Sequence, residues 1–169
     1  MKRLLIAACV LLVLVAVAAA QDDAKLLGAS ELKFAPFPNV PTCIKGTVLH
    51  GDPNSEQGST LEAKGTAGCK IPWHWHSGDE QVGVVSGSAK LEMKDAGAKS
   101  LTAGGYAFLP AKHPHQFTCV TACTIFVGVS GKFDIHYVDA SGAEVPLEQA
   151  QKSGGKAAGA KAKAAAPKK

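Results

Sequence analysis

The middle of the chain consists of short apolar segments separated by turn-forming residues at nearly regular spacing. The separators are rich in Gly, Pro, Asp, Asn and Ser, as in residues 51–54 and 77–79. The candidate strands are Ile44–His50, Gly68–His76, Glu80–Val85, Ser88–Met93, Tyr106–Leu109, His115–Cys119, Thr124–Val129 and Phe133–Val138. Many short strands without a convincing helical period predict an all-β fold, either a sandwich or a barrel. A further stretch, Leu26–Phe34, is expected to form either a short helix or an arm.

The two ends of the chain differ from this middle in composition. Residues 1–20 combine a basic start, an apolar run and a final Ala-Ala-Ala, which is typical of a secretory signal peptide. The sequence therefore predicts an exported protein, periplasmic or secreted, with no stable membrane span after cleavage. Residues 151–169 are rich in Lys and Ala and contain no acidic residue, so we expect a disordered tail. Between them we expect an N-terminal arm over 21–39 and one barrel domain over 40–150.

The formal net charge of +4 comes from the two ends. Residues 21–151 carry ten Lys against fourteen Asp and Glu, so the expected domain is acidic and offers no basic face for specific nucleic-acid binding. The Lys-rich tail is either a solvated appendage or a weak contact for an anionic surface. Arg3, inside the predicted signal peptide, is the only arginine. The domain therefore has no guanidinium to clamp a phosphate or a carboxylate in bidentate fashion.

Four cysteines follow the predicted signal peptide, namely Cys43, Cys69, Cys119 and Cys123. An oxidising compartment permits disulfides. A short turn could join Cys119 to Cys123, which would leave Cys43 to pair with Cys69. The alternative is four free thiols, in which case Cys119 could present its sulfur to the interior of the barrel.

The segment around residue 75 has the spacing of a metal site. Side chains two apart on a strand point to the same face, so His74 and His76 project together. A turn then brings an acidic side chain back near them, and both Asp79 and Glu80 qualify by chemistry. The alternative is that these histidines and the later pair belong to unrelated surface or core clusters.

A third imidazole could come from His113 or His115. Because Pro114 cannot donate to a strand ladder, it marks the start of a strand and favours His115 as the inward residue. Three histidines and one carboxylate suit one divalent transition metal ion, namely Fe, Mn, Ni, Cu or Zn. Calcium or magnesium would require more oxygen ligands.

These residues resemble the two motifs of the cupin superfamily. The first motif, G-x5-H-x-H-x3-E-x6-G, is matched throughout by Gly68, His74, His76, Glu80 and Gly87. The second motif, G-x5-P-x-G-x2-H-x3-N, is matched by Gly104, Pro110 and His115, with Lys112 and Cys119 where glycine and asparagine are usual.

The resemblance implies a small single-domain bacterial cupin of unassigned activity. Its fold would be a double-stranded β-helix, the jelly-roll barrel, with metal held by His74, His76, Glu80 and His115. It thus selects Glu80 over Asp79 and His115 over His113. It also allows a homodimer, because an exposed strand edge can pair with a second copy.

Two functions fit these expectations. One is a metal-dependent oxidoreductase of dioxygenase type acting on a small molecule. The other is a non-catalytic secreted module that binds a metal or a small molecule, so whether the chain is an enzyme stays open. The aromatic residues available to line an apolar pocket for a small neutral ligand are Tyr106, Phe108, Phe117, Trp73 and Trp75, of which Trp75 is expected to face outward.

Overall fold

Ten β-strands and one short helix form the part of the chain that the computed structural model describes, residues 24–154. The elements are β1 Ile44–Gly51, β2 Ser59–Gly65, β3 Lys70–Trp75, β4 Glu80–Ser86, β5 Ser88–Met93, β6 Gly97–Thr102, β7 Tyr106–Leu109, β8 His115–Cys119, β9 Cys123–Val129, β10 His136–Tyr137 and α1 Leu147–Gly154. The strands form two antiparallel sheets, in the orders β1-β2-β9-β4-β7 and β10-β3-β8-β5-β6. The predicted all-β jelly-roll barrel is confirmed.

Alternating apolar residues build the interior of the barrel. On β4 and β9, Val82 lies opposite Val127 and Val84 lies opposite Ile125, and all four side chains are buried. Since successive residues of a strand point to opposite faces, this alternation turns one face of each sheet inward. The core between the sheets is therefore apolar, and any polar side chain inside it needs a specific partner.

The strand register gives the barrel two distinct ends. Glu80 on β4 and His115 on β8 lie at one end, which we call the histidine end. Cys119 and Cys123 lie at the opposite ends of β8 and β9, at the disulfide end. There Cys43 is bonded to Cys69 and Cys119 to Cys123. The alternative of four free thiols is thus wrong.

Two strands were not anticipated from the sequence, and two candidates, Gly68–His76 and Phe133–Val138, are longer than the strands that form. β2 and β6 consist largely of small and polar residues, and their pairing with neighbouring strands holds them extended. Of the candidate Phe133–Val138, only His136–Tyr137 forms a strand. Its first residues instead form a loop whose contacts reach the histidine end.

The segment before β1 is an arm and not a helix. Leu26 is 94% exposed, and the arm joins the sheet through a bridge between Ala35 and Gly46. The ring of Phe37 then lies over Gly46, where an added Cβ would come within 2.6 Å of the ring. A side chain at position 46 would therefore displace Phe37 from the barrel.

The short helix α1 extends the ordered chain beyond the expected domain boundary. Ala150 is 2% exposed, and the helix lies against β3. Residues 151–154 belong to this helix, so the expected boundary between the domain and the tail falls inside it. The physical reason is that burial of one helix face stabilises a segment whose composition alone predicts disorder.

The predicted signal peptide over 1–20 and the remainder of the predicted tail, 155–169, lie outside the described residues. No helix within residues 24–154 is long and apolar enough to cross a membrane.

The loop between β7 and β8 contains a lysine in a left-handed conformation. Lys112 has φ of 60°, in the region that glycine adopts without steric penalty. Its N–H donates to the carbonyl of His76 at 2.8 Å, which ties the loop to the end of β3. The departure from glycine at this motif position therefore leaves the turn formed, at a cost in backbone strain.

We predict that Lys112→Gly stabilises the folded protein by about 0.5–1 kcal/mol. Relief of left-handed strain contributes about 1–2 kcal/mol, and the extra freedom of glycine in the unfolded chain removes about 0.4–1 kcal/mol. Urea unfolding with the disulfides intact measures the change. Lys112→Ala is the matched control, because it removes the side chain and keeps the strain. An equal gain in both variants would contradict the strain explanation.

Candidate metal centre

Two histidines enter the barrel where β3 ends, His74 from the strand itself and His76 from the position directly after it. His74 and His76 are 2% and 5% exposed, and both face the interior as their spacing predicts. Trp75 between them points outward and stacks on His136. The pairing of β3 with β8 shifts register between Ile71 and His74, around Pro72, which has no N–H to donate to the ladder.

The carboxylate comes from the first residue of β4. Glu80 is 9% exposed and lies opposite both Leu109 and Val129 at the histidine end. Asp79, its neighbour, has a different role, since its carboxylate accepts a hydrogen bond from the N–H of Ala111 at 2.8 Å. Asp79 therefore secures the loop between β7 and β8, and Glu80 faces the histidines.

The third imidazole comes from the first residue of β8. His115 lies directly opposite His74 in the antiparallel pair of β3 and β8, and it is 2% exposed. The structure thus brings together the four predicted residues, His74, His76, Glu80 and His115, with one potential ligand atom from each within 4.8 Å of the others. His113, the alternative to His115, contributes only its carbonyl, which faces Nδ1 of His115 at 2.9 Å.

Hydrogen bonds to the backbone fix which nitrogen of each ring faces the cluster. Nδ1 of His74 bonds the carbonyl of Pro72 at 2.6 Å, and Nδ1 of His76 bonds the carbonyl of Asp134. A carbonyl only accepts, so each Nδ1 carries the proton and donates it. In the neutral ring, Nε2 then has a free lone pair, which is the tautomer that a metal ion requires.

These free nitrogens have no other hydrogen-bond partner. Nε2 of His76 and Nε2 of His115 are buried, and neither makes a hydrogen bond. They lie 3.4 and 3.2 Å from Oε2 of Glu80, within ion-pair distance but without hydrogen-bond geometry. Because unpaired buried polar atoms are costly, their convergence beside a carboxylate fits a bound cation.

The electrostatics of the cluster keep its carboxylate charged. Burial would raise the pKa of Glu80, but contacts with His115 and His76 outweigh burial and hold that pKa far below its usual range. Burial lowers the pKa of His74 well below its ordinary value, and the neighbouring His115 and His76 lower it further. The cluster therefore offers an ionised carboxylate and a neutral His74.

His76 differs from His74 in this respect. Burial would lower the pKa of His76, but its contacts with Glu80 and Asp134 outweigh burial, so the net effect is a raised pKa. In the metal-free protein, a proton on His76 is thus the main competitor of a metal ion for the cluster.

A small cavity of about 70 Å³ lies beside the four residues inside the barrel. Among the described residues that line it, the polar ones are these four, and the rest are apolar or glycine. Of the predicted wall aromatics, Phe117 lines the cavity, whereas Tyr106 and Phe108 are 58% and 49% exposed on the outside. The cavity is well below the several hundred Å³ typical of sites for drug-sized ligands.

Two lining aromatics were missed by the sequence reasoning. Phe37 comes from the arm and Phe133 from the loop before β10, and their rings meet edge to face with centroids 6.1 Å apart. Neither residue lies on a strand, so the alternation of strand faces could not reveal them. The apolar Phe-Pro neighbourhood of Phe37 was the one available signal.

Comparison with known proteins gives this barrel a family. The family model described as cupin domain matches residues 65–129, which include all four clustered residues. Among curated proteins, none matches the sequence.

Several solved structures have the same fold at low sequence identity. The chain is similar to an RmlC-like cupin protein from Ralstonia eutropha JMP134, with 20% identity, a TM-score of 0.57, and coverage of 77% of this chain and 83% of that chain. It is similar to a putative acetylacetone dioxygenase from Methylibium petroleiphilum PM1, with 20% identity, a TM-score of 0.59, and coverage of 75% and 89%.

A third similar structure comes from work on the DMSP lyases RdDddP and RnDddQII, with 21% identity and a TM-score of 0.55. The alignment covers 66% of this chain and spans 64% of the length of that one. Identity this low shows a shared fold alone. The matched family model, which the barrel topology supports, shows a cupin superfamily domain in this chain.

Proposed function

We propose that this cupin binds one divalent transition metal ion through His74, His76, Glu80 and His115. The observation that carries the proposal is the convergence of imidazole nitrogens and one carboxylate, with two Nε2 atoms buried and unpaired. Nitrogen-rich ligand sets select Fe, Mn, Ni, Cu or Zn, whereas calcium and magnesium prefer six or more oxygens. The protein's contribution is to hold the ligand atoms in place and to exclude bulk water from them.

The cavity limits what can bind beside the metal. With a volume of about 70 Å³, it suits a ligand of a few heavy atoms or the reactive end of a longer one. Since no Lys or Arg is among the described residues that line it, no fixed positive charge there balances an anionic group. We therefore propose a small neutral molecule, or O2, as the ligand in the barrel.

For the reaction, we propose a metal-dependent oxidation of dioxygenase type. When bound, the metal would supply redox or Lewis-acid chemistry at the cavity. The cavity supports this class because its only titratable lining groups, among the described residues, are the four ligand residues themselves. Within residues 24–154, the cavity is lined by no further side chain that could act as a general acid or base, so proton-transfer chemistry without a metal has little support.

The alternative is a non-catalytic binding module. Phe37 and Phe133 line the cavity from the arm and the loop before β10, and such a small apolar site also suits simple retention of a metal. The similar structures include a putative dioxygenase and lyases, so the fold supports several activities and selects none.

We also propose that the protein is exported. The support is the apolar leader with its Ala-Ala-Ala end, together with the two disulfides of the barrel, which an oxidising compartment maintains.

We predict that His74→Ala and His115→Ala each abolish stoichiometric metal binding. The wild-type protein should hold about one transition-metal ion per chain after reconstitution, because it has all four ligand residues. Each variant lacks one imidazole and leaves the ion with an incomplete set of ligands. Inductively coupled plasma mass spectrometry after gel filtration measures the content. His50→Ala on β1 serves as the control and should retain the metal. Metal-free wild-type protein after reconstitution would contradict the proposed site.

Metal affinity should fall as the solution becomes more acidic. The pKa of His76 is raised in the metal-free protein, so a proton occupies Nε2 below that pKa and must leave when metal binds. Below it we expect the affinity to drop by about tenfold for each pH unit, as one proton is displaced. Chelator competition with Zn²⁺ between about pH 5 and about pH 7.5 measures this. An affinity that is constant over that range would show that no ligand proton competes.

Oxygen consumption separates the two proposed functions. Metal-loaded protein with a panel of small neutral organic molecules should consume O2 in an oxygen-electrode assay, and His76→Ala should not. Saturable ligand binding without oxygen uptake or product would favour the non-catalytic module.

A further inference from the structure

The three imidazoles of the cluster are oriented by carbonyls from different parts of the chain. The carbonyl facing Nδ1 of His74 belongs to Pro72, and the one facing Nδ1 of His115 belongs to His113. Both are two residues back in the same segment. The carbonyl facing Nδ1 of His76 belongs to Asp134, 58 residues away. His76 is therefore the ligand residue whose orientation depends on a separate segment of the chain.

Side-chain contacts hold Asp134 in place. Its Oδ1 accepts a hydrogen bond from the N–H of Ser77 at 2.8 Å, and its Oδ2 lies 3.2 Å from Nε2 of His136. Ser77 directly follows His76. Asp134 thus contacts the end of β3 through both its carbonyl and its carboxylate, and a displacement of Asp134 would displace the acceptor of His76.

His136 is constrained on both edges and on one face. Nε2 faces the carboxylate of Asp134, and Nδ1 lies 3.1 Å from Oε2 of Glu144. The ring stacks on Trp75 with centroids 3.9 Å apart and planes 4° from parallel. Glu144 is itself anchored, because it forms a β-bridge with Val138. An imidazole held in this way has little freedom to move, and it limits the movement of Asp134.

We propose that His136 is a positioning residue for His76. Through Asp134 it fixes the carbonyl that sets the tautomer of His76 and the direction of its Nε2 lone pair. The inference rests on the proposed function, because this direction matters only when a metal binds there. A purely structural role for His136 would affect the stability of the barrel and leave the metal environment unchanged.

The test uses Co²⁺ as the probe and the full chain as the protein. His136→Phe keeps a flat ring on Trp75 and loses both contacts with carboxylates. Glu144→Gln leaves His136 in place and removes the charge on its outer edge. Glu62→Gln is the matched control, since Glu62 pairs with Lys64 on the outer face of the other sheet. The readouts are the dissociation constant of Co²⁺, its visible absorption bands, and the thermal midpoint without metal.

We expect His136→Phe to weaken Co²⁺ binding by about tenfold or more, which is the scale for residues that orient metal ligands, and to shift the absorption bands. Glu144→Gln should act in the same direction to a smaller extent, and Glu62→Gln should match the wild type. Unchanged affinity and bands in His136→Phe, even with a lowered thermal midpoint, would overturn the inference. If His136→Phe does not fold, the same two readings on Glu144→Gln decide.

The wild-type titration distinguishes the inference from the proposal beneath it. A wild-type protein that does not bind Co²⁺ would count against the proposed metal site and, with it, the role of His136. The other outcome is that wild-type protein and His136→Phe bind Co²⁺ equally well and give identical absorption bands. That result would leave the proposed metal site intact and would remove only the positioning role of His136.

Discussion

Hydrogen bonds from imidazole Nδ1 atoms to backbone carbonyls are the interaction on which the site depends. They put the proton of each ring on the outer nitrogen and leave Nε2 to face the interior. Without them, three buried imidazoles would choose tautomers by solvation and by repulsion among themselves. The ionised Glu80 would then face ring nitrogens that carry a proton in one tautomer and a free lone pair in the other. With them, the barrel presents one charged oxygen and a set of lone pairs to a common point.

The two ends of the barrel contain different features, the disulfides at one end and the clustered polar residues at the other. At the disulfide end, two bonds between cysteines join the strands, and Cys119 lies so close to Gly65 that an added Cβ there would come within 2.5 Å of its sulfur. At the histidine end, His74, Glu80 and His115 lie at or near the ends of strands, and His76 directly follows β3. The clustered polar residues thus lie at one end of the barrel, and both disulfides lie at the other.

The sequence predicted the strand-borne part of the site because strand geometry is periodic. The alternation of faces placed His74 and His76 inward and Trp75 outward. Spacing alone did not decide between Asp79 and Glu80 or between His113 and His115, because turn geometry does not follow the strand alternation. The resemblance to cupin motifs selected Glu80 and His115, and the structure brings these two to the cluster.

Other features had no local signal. β2 and β6 each contain only one β-branched residue, Thr60 and Thr102, and pairing with neighbours determines their conformation. Helix α1 depends on burying Ala150 against the barrel, which composition does not reveal. Phe37 and Phe133 meet only because the arm and the loop before β10 come together in the folded chain. Contacts between segments this far apart cannot be deduced from short-range patterns.

The most direct measurement is an anomalous difference map from crystals of the protein loaded with Zn²⁺. The account predicts one strong peak inside the barrel, about 2.0–2.2 Å from Nε2 of each of the three histidines and from a carboxylate oxygen of Glu80. A peak bound through Nδ1, a peak elsewhere on the chain, or an empty barrel in crystals soaked with excess Zn²⁺ would contradict it.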